Sequence, residues 1–288
     1  MPAPSRSPSP PYTRQEEWRA AIADLESVPD AMASRLTELR NRTAAAADHL
    51  SNGFLRSCLR ARWYDVDKAS KVVQHYLAFR SRHASWLLPC HAAAVEAELK
   101  TGFNELLPSQ DAAGHVVITQ RMGLLETGRP GVIERHQRAG YYLLHRALQR
   151  EGAQTRGLAL LLDFGGFRWS AFRQISYSDI QRGVGMLQDA MPARLSVIYV
   201  LHPPTWLTAL VSLLTPLLRK DTLQQKFVLL DDASKLHKYM APSSLPAGID
   251  GWGGTAPREW SATVDGWIAE EEAARASAGF DPAVLVQS

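Results

Sequence analysis

Cysteine is nearly missing: Cys58 and Cys90 are the only two in 288 residues. Two thiols 32 positions apart make neither a disulfide framework nor a metal-ligand spacing, and they suit a reducing cytosol. An excess of either charge is also lacking. Thirty-two Lys and Arg against twenty-nine Asp and Glu leave a net +3, too little for a dedicated nucleic-acid binder. The amino terminus has no apolar leader core. Five of the seventeen prolines fall in residues 1–11, which read as a disordered Pro/Ser-rich tail. An unbroken membrane span is absent too. The one uncharged run, Leu195 to Leu218, is split by His202-Pro203-Pro204, and its remainder is too short to cross a bilayer.

The motifs of catalysis are missing as well. Gly165-Gly166 and Gly183-Val-Gly185 complete neither G-x-G-x-x-G nor a P-loop, and no G-x-S-x-G or H-E-x-x-H occurs. Nine histidines are scattered without a metal spacing. Cys90-His91 lacks the glycine-rich anion loop of a cysteine phosphatase. Asp163, at the end of an apolar run, reads as a residue holding a turn more readily than as a catalytic acid. The expectation is a protein that is not an enzyme, with no metal and no cofactor.

What is present is 45% apolar and 21% charged residues, the balance of a soluble globular chain. From Tyr12 to about Arg82 the pattern is helical and basic, with seven Lys or Arg against two Asp between Arg56 and Arg82. Asp65-Val-Asp67 opens one helix, whose apolar face is Ala69, Val72, Val73, Tyr76, Leu77 and Phe79. Its basic residues read either as a solvated face or as a surface for acidic lipid head groups. Beyond Gly102 short apolar runs alternate with helical stretches. Strands are expected at Val116–Thr119, Leu158–Leu162, Leu195–Leu201 and Lys226–Leu230, and helices at Ile133–Leu148, about Asp179–Met191 and Glu259–Glu272. Runs apolar on every residue mean strands covered on both faces, hence a mainly parallel α/β sheet with flanking helices. Trp206 to Leu218 is apolar all round and must be covered on both sides. It is either ordinary core or a flap hinged at His202-Pro203-Pro204 over a lipid.

In order along the chain, five segments resemble the CRAL-TRIO lipid-binding family: Cys58-Leu-Arg-Ala-Arg-Trp-Tyr-Asp-Val-Asp-Lys-Ala69, Asp111-Ala-Ala-Gly-His-Val-Val117, Met191-Pro-Ala-Arg-Leu195 with the strand to Pro204, Thr215-Pro-Leu-Leu-Arg-Lys-Asp-Thr-Leu-Gln-Gln-Lys226, and Ser244-Leu-Pro-Ala-Gly-Ile-Asp-Gly251. Ala153–Asp163 and Pro192–Leu195 look most like the lipid-binding domain ahead of a non-receptor tyrosine phosphatase. The resemblance implies a helical front module and a sheet whose concave face, closed by a gate helix, encloses one lipid and hides it from water. Trp206–Leu218 would be the gate, with Tyr199, Trp206, Leu210, Leu213, Leu214 and Leu217 lining the pocket. Arg62, Thr222 and Lys226 would meet a head group, and Arg219 and Lys220 an acidic membrane. Where the family's phosphatidylinositol exchangers have an Arg-Lys pair, this chain has Arg62-Trp63; their gate-adjacent Lys falls on Gln225 and their acidic Pro-Glu-Arg residue on Ala193. The phosphatidylcholine-reading Ser and Thr fall on Leu158 and Leu160, which disfavours that lipid and leaves phosphoinositides open.

These readings give a tail (1–11), a helical module (12–102), a lipid-binding domain (103–275) and a carboxyl-terminal tail (276–288). The expected function is binding one hydrophobic lipid, phospholipid, phosphoinositide or isoprenoid-like, and transferring or presenting it between membranes. The chain would be cytoplasmic and transiently membrane-associated, without a nucleic-acid partner. The alternative is a membrane-targeting or regulatory module of a signalling protein, with a signalling partner or a further domain and no net lipid transport.

Overall fold

The computed structural model describes residues 20, 22–47, 50–188, 192–206, 226–249 and 257–278. Helices come first: α1 (Pro29–Ala47), α2 (Asn52–Ala61) and α3 (Val66–Arg82) pack on one another, followed by α4 (Ala84–Leu87) and α5 (Ala92–Lys100). Ser51 caps α2 by accepting the Phe54 N–H at 3.1 Å. Asp65 caps α3 by accepting from Lys68 N at 3.0 Å, so each carries one of the amide donors a helix start leaves unmet. Val72, Val73, Tyr76 and Phe79 of α3 are buried at the spacing their sequence requires. Both thiols are buried and free, and burial pushes the Cys90 thiol up to about 12 despite the nearby Arg80 and Arg138.

The α/β part runs β1 (Asn104–Gln110), β2 (Val116–Arg121), α6 (Val132–Leu148), α7 (Glu151–Thr155), β3 (Leu158–Asp163), α8 (Trp169–Phe172), α9 (Tyr177–Gln188), β4 (Leu195–Leu201), β5 (Phe227–Leu230) and α10 (Pro257–Ala278). The five strands lie in the order β1-β2-β3-β4-β5. Only the β1–β2 pair is antiparallel; the other three pairs are parallel. This is the mainly parallel α/β sheet that the apolar runs imply, and β4 spans the expected Leu195–Leu201. Strand β1 is the addition. Asn-Glu-Leu-Leu-Pro-Ser-Gln has only two adjacent strand-type apolar residues and a proline, tolerated because β1 is the edge strand and its register shifts between Leu106 and Gln110.

Strand side chains alternate, so the two faces meet different partners. Ile118, Leu160, Ile198 and Val200 point toward α6 and the helical module. Val117, Ala159, Leu161, Val197, Tyr199 and Leu201 point the other way, onto Leu236 of the 3-10 turn Ala233–Lys238 and onto Met240, Leu245 and Ile249 beyond it. Asp111 organises the turn before β2, accepting from the N–H groups of Ala113 (3.0 Å) and His115 (2.8 Å) and pairing with His115 Nδ1 at 2.7 Å. At the far end of β3, Asp163 Oδ1 accepts the Gly165 N–H at 2.8 Å, the turn-holding role its position suggests, and also meets His202 Nδ1 at 2.8 Å. His202 takes a left-handed φ of 50° directly before Pro203-Pro204. The turn after β2 touches this junction: a Cβ at Gly123 would lie 2.1 Å from the Gly165 carbonyl oxygen, so only glycine fits.

Candidate functional site

Between the sheet and helices α6 and α9 lies a cavity of about 260 Å³. Its walls follow from the two periodicities. Strands β2 and β3 contribute alternate residues, Ile118 and Gln120, Leu160 and Leu162. Helix α6 contributes Ile133, His136, Gln137, Gly140 and Leu144, and α9 contributes Ile180, Gly183, Val184 and Leu187, each a stripe at spacings of three and four. Phe164, Phe167, Phe172 and Ile175 close the side nearest the carboxyl ends of the strands.

Trp206 packs on this aromatic side. Its ring lies 4.9 Å from Phe172 in a stacked pair, 5.9 Å from Phe167 and 6.3 Å from Phe164. Trp169, 5.3 Å from Trp206, is 45% exposed beside exposed Arg168 and Arg173. Trp206 thus abuts three lining rings. Leu210, Leu213, Leu214, Leu217, Arg219, Lys220 and Thr222 lie outside the described residues. Tyr199 is a correction. It lies on the opposite face of the sheet, where its hydroxyl donates to Asp111 Oδ2 at 3.0 Å and its ring packs 5.0 Å from Tyr239, so it does not line the cavity. The strand period decides this: Ile198 and Val200 take the cavity-side face, and the residue between them must turn away.

Arg62 and Lys226, 164 positions apart in the chain, come within electrostatic reach of each other and of Arg194. Burial, followed by repulsion from Arg194 and Arg62, pushes the Lys226 ammonium down to about 8, while Lys226 Nζ donates to the Leu195 carbonyl. This basic corner sits at the amino ends of β4 and β5, whereas the aromatic side of the cavity lies toward the carboxyl ends of the strands. Trp63, next to Arg62, is 41% exposed with φ 58°. The sequence reading passed over Arg194, although it stands in the quoted Pro-Ala-Arg-Leu segment.

Polar groups in the cavity wall also escaped the sequence reading. Asn104 and Gln120 face each other across β1 and β2, with Gln120 Nε2 donating to Asn104 Oδ1 at 2.9 Å and Asn104 Nδ2 to the His136 carbonyl at 3.0 Å. Burial holds the His136 imidazole below its ordinary range, and Arg135 adds to this against the opposing pull of Glu98. A polar residue breaking an apolar stripe was the available signal. Among the described residues no group of His, Cys, Asp and Glu is placed to hold a metal ion, and no helix is long and apolar enough to cross a membrane.

A sheet hollow on one face and filled on the other, behind a helical module, is an arrangement with known counterparts. The model of the CRAL/TRIO domain matches residues 100–251, more than half of the chain. The chain belongs to the CRAL/TRIO family. Human "Alpha-tocopherol transfer protein-like" is 27% identical over 241 residues, covering 83% of this chain and 66% of that protein, so the chain spans just under two thirds of that relative's length. Human "Clavesin-2" is 22% identical over 242 residues, covering 82% of this chain and 74% of its own. The solved structure "Crystal structure of Sfh5" shares the fold with a TM-score of 0.50 at 14% identity, over 92% of this chain and 99% of that one. CRAL/TRIO membership makes this a lipid-binding fold, and the cavity lies within the matched residues.

Proposed function

We propose that this CRAL/TRIO protein withdraws one lipid from a membrane, shelters its tail between the sheet and helices α6 and α9, and delivers or presents it at another membrane, working as a carrier rather than an enzyme. The apolar cavity between the sheet and helices α6 and α9 carries this reading. Moving a tail from bilayer to such a space costs little, whereas exposing it to water costs about 0.8 kcal/mol per CH₂. The name of the tocopherol transfer protein-like relative points the same way.

Transient membrane contact belongs to the same reading. Its support is the exposed Trp169 on the aromatic side of the cavity, flanked by Arg168 and Arg173, since indole rings favour the membrane–water boundary. Arg62, Arg194 and Lys226 suit a phosphate of an acidic or phosphoinositide head group, at about 1 kcal/mol per basic side chain. In this proposal Arg219 and Lys220 serve an acidic membrane, Thr222 meets a head group and Trp206–Leu218 forms the gate, all beyond Trp206 lying outside the described residues, and the setting is the cytoplasm.

Native mass spectrometry of the purified protein, paired with vesicle-to-vesicle transfer, tests the proposal. One lipid per chain and accelerated transfer are expected. Val184→Trp, which fills the cavity, should abolish both. A chain that stays empty after exposure to vesicles would overturn the carrier reading; a filled chain without transfer would recast it as a lipid-presenting regulatory module. Binding to phosphoinositide vesicles should weaken as pH rises through about 8, where free Lys226 loses its charge, and Lys226→Arg should extend binding to higher pH.

A further inference from the structure

Two arms that meet on the aromatic side of the cavity are joined at their bases by one hydrogen bond. The first arm leaves β3 after Asp163 and carries Phe164 and Phe167; the second leaves β4 at His202 and carries Trp206. Their rings touch, with Trp206 6.3 Å from Phe164 and 5.9 Å from Phe167. At the bases, His202 Nδ1 lies 2.8 Å from Asp163 Oδ1. Space there is tight: a Cβ on Gly165 would stand 3.0 Å from that oxygen and 3.2 Å from the His202 nitrogen. The His202 N–H donates to the Leu230 carbonyl at 2.9 Å, and its φ of 50° is a left-handed conformation that a residue other than glycine keeps only where its surroundings impose it. Pro203 and Pro204 follow with φ fixed by their rings, so a rotation at His202 carries Trp206 with it.

Protons can reach this junction. The His202 side chain is 27% exposed, and imidazole is the side chain that changes charge between pH 5 and 8. The groups facing it are carboxylates from two different elements: Asp163 at the end of β3, and Asp232 after β5, which lies within electrostatic reach. Strand β4 itself carries no charged residue. The cations on the neighbouring elements are engaged: Lys235 pairs with Asp231, and Arg121, in register with Asp163 across β2 and β3, donates to the Gly102 and Ala247 carbonyls and to Glu105. Neutral, the His202 ring offers Asp163 a hydrogen bond; protonated, it adds an opposite charge at the same distance and strengthens the contact.

We infer that His202 and Asp163 form a proton-sensitive clasp on the aromatic side of the cavity. With His202 protonated, the arms stay joined and Trp206 stays on Phe164 and Phe167; with His202 neutral, the joint loosens and Pro203–Trp206 moves off these rings. Cargo is then held in acid and exchanged faster at neutral pH. The effect on cargo rests on the carrier reading, whereas the clasp needs no lipid to operate.

Fluorine NMR of the full chain labelled with 5-fluorotryptophan, its Trp206 resonance assigned through Trp206→Phe, tests the clasp. From about pH 5 to pH 8 that resonance should follow a one-proton curve. His202→Asn, whose short amide tolerates left-handed backbone and takes up no proton, should leave it still, and Asp163→Asn should move the midpoint to lower pH. A resonance that never moves, or that follows the same curve in His202→Asn, would overturn the clasp. If His202→Asn does not fold, an unmoved midpoint in Asp163→Asn overturns it instead. Cargo is read separately, as transfer of pyrene-labelled phosphatidylinositol between phosphatidylcholine vesicles. Relative to His202→Asn, transfer by the unaltered chain should rise about fivefold across the same range, the scale of one partly exposed ion pair. An identical pH dependence in both chains would sever the clasp from cargo release and overturn that half of the inference. A moving Trp206 signal without transfer by either chain would uphold the clasp and remove the carrier reading.

Discussion

The two faces of one sheet differ in what stands opposite them, although the strands are apolar on nearly every residue. On one face Leu161, Val197 and Tyr199 pack in one buried cluster with Leu236, Met240 and Leu245. On the other, Leu160 and Leu162 look into about 260 Å³ of space. In the carrier proposal the filled face carries the stability and the hollow face the function. A protein that holds a removable guest must survive without it, so the packing that the cavity gives up has to be supplied elsewhere.

The largest expected effect is on the filled face. Asp111→Ala strips the acceptor from His115 and Tyr199 in full burial and should cost about 3–5 kcal/mol in urea unfolding. Leu161→Ala, at a side chain with no exposure, should cost about 2–5 kcal/mol, whereas Leu162→Ala, one residue on and facing the hollow, should cost less than about 1.5 kcal/mol. Equal losses at 161 and 162 would erase the distinction between the faces.

Helix α6 allows a parallel comparison between two histidines. His136 faces the cavity, while His145 is packed between Tyr141 and Tyr76 with ring centroids at 4.6 Å and 5.9 Å. Burial, then the Arg80 charge, pushes the His145 imidazole down to about 3. Because the unfolded chain takes up this proton near 6.5 and the folded chain does not, the stability is complete above pH 6.5. It falls as pH drops toward 3, by up to about 1.4 kcal/mol per pH unit. His145→Phe should flatten that part of the profile, measured as the urea midpoint between neutral and acidic pH. The smallest effect is Tyr199→Phe, about 0.5–1.5 kcal/mol with lipid binding unchanged, which separates this tyrosine from the cavity.

Strands β2 to β5 were legible because a strand covered on both sides announces itself by continuous apolar residues. The same continuity hid which face each residue takes. Tyr199 was placed in the pocket for that reason, since a run that is apolar throughout carries no alternation to orient it. Asp65 was legible as a cap because capping is local. The polar corner was not, because Asn104, Gln120 and His136 come from an unexpected edge strand, a second strand and a helix, joined only by the fold. Arg62 and Lys226 were singled out through the family resemblance, and Arg194 joins them only once the amino ends of β4 and β5 are side by side.

The contact of Gly123 with the Gly165 carbonyl couples two turns that no lipid needs to touch. One turn leads to Leu125, the other to Phe164 and Phe167, all of them in the cavity wall. A single methyl group at position 123 would wedge these turns apart and shift the wall as a unit. The position of that wall is therefore held from a point behind the lining, where the lack of a side chain at one residue lets both turns keep their places.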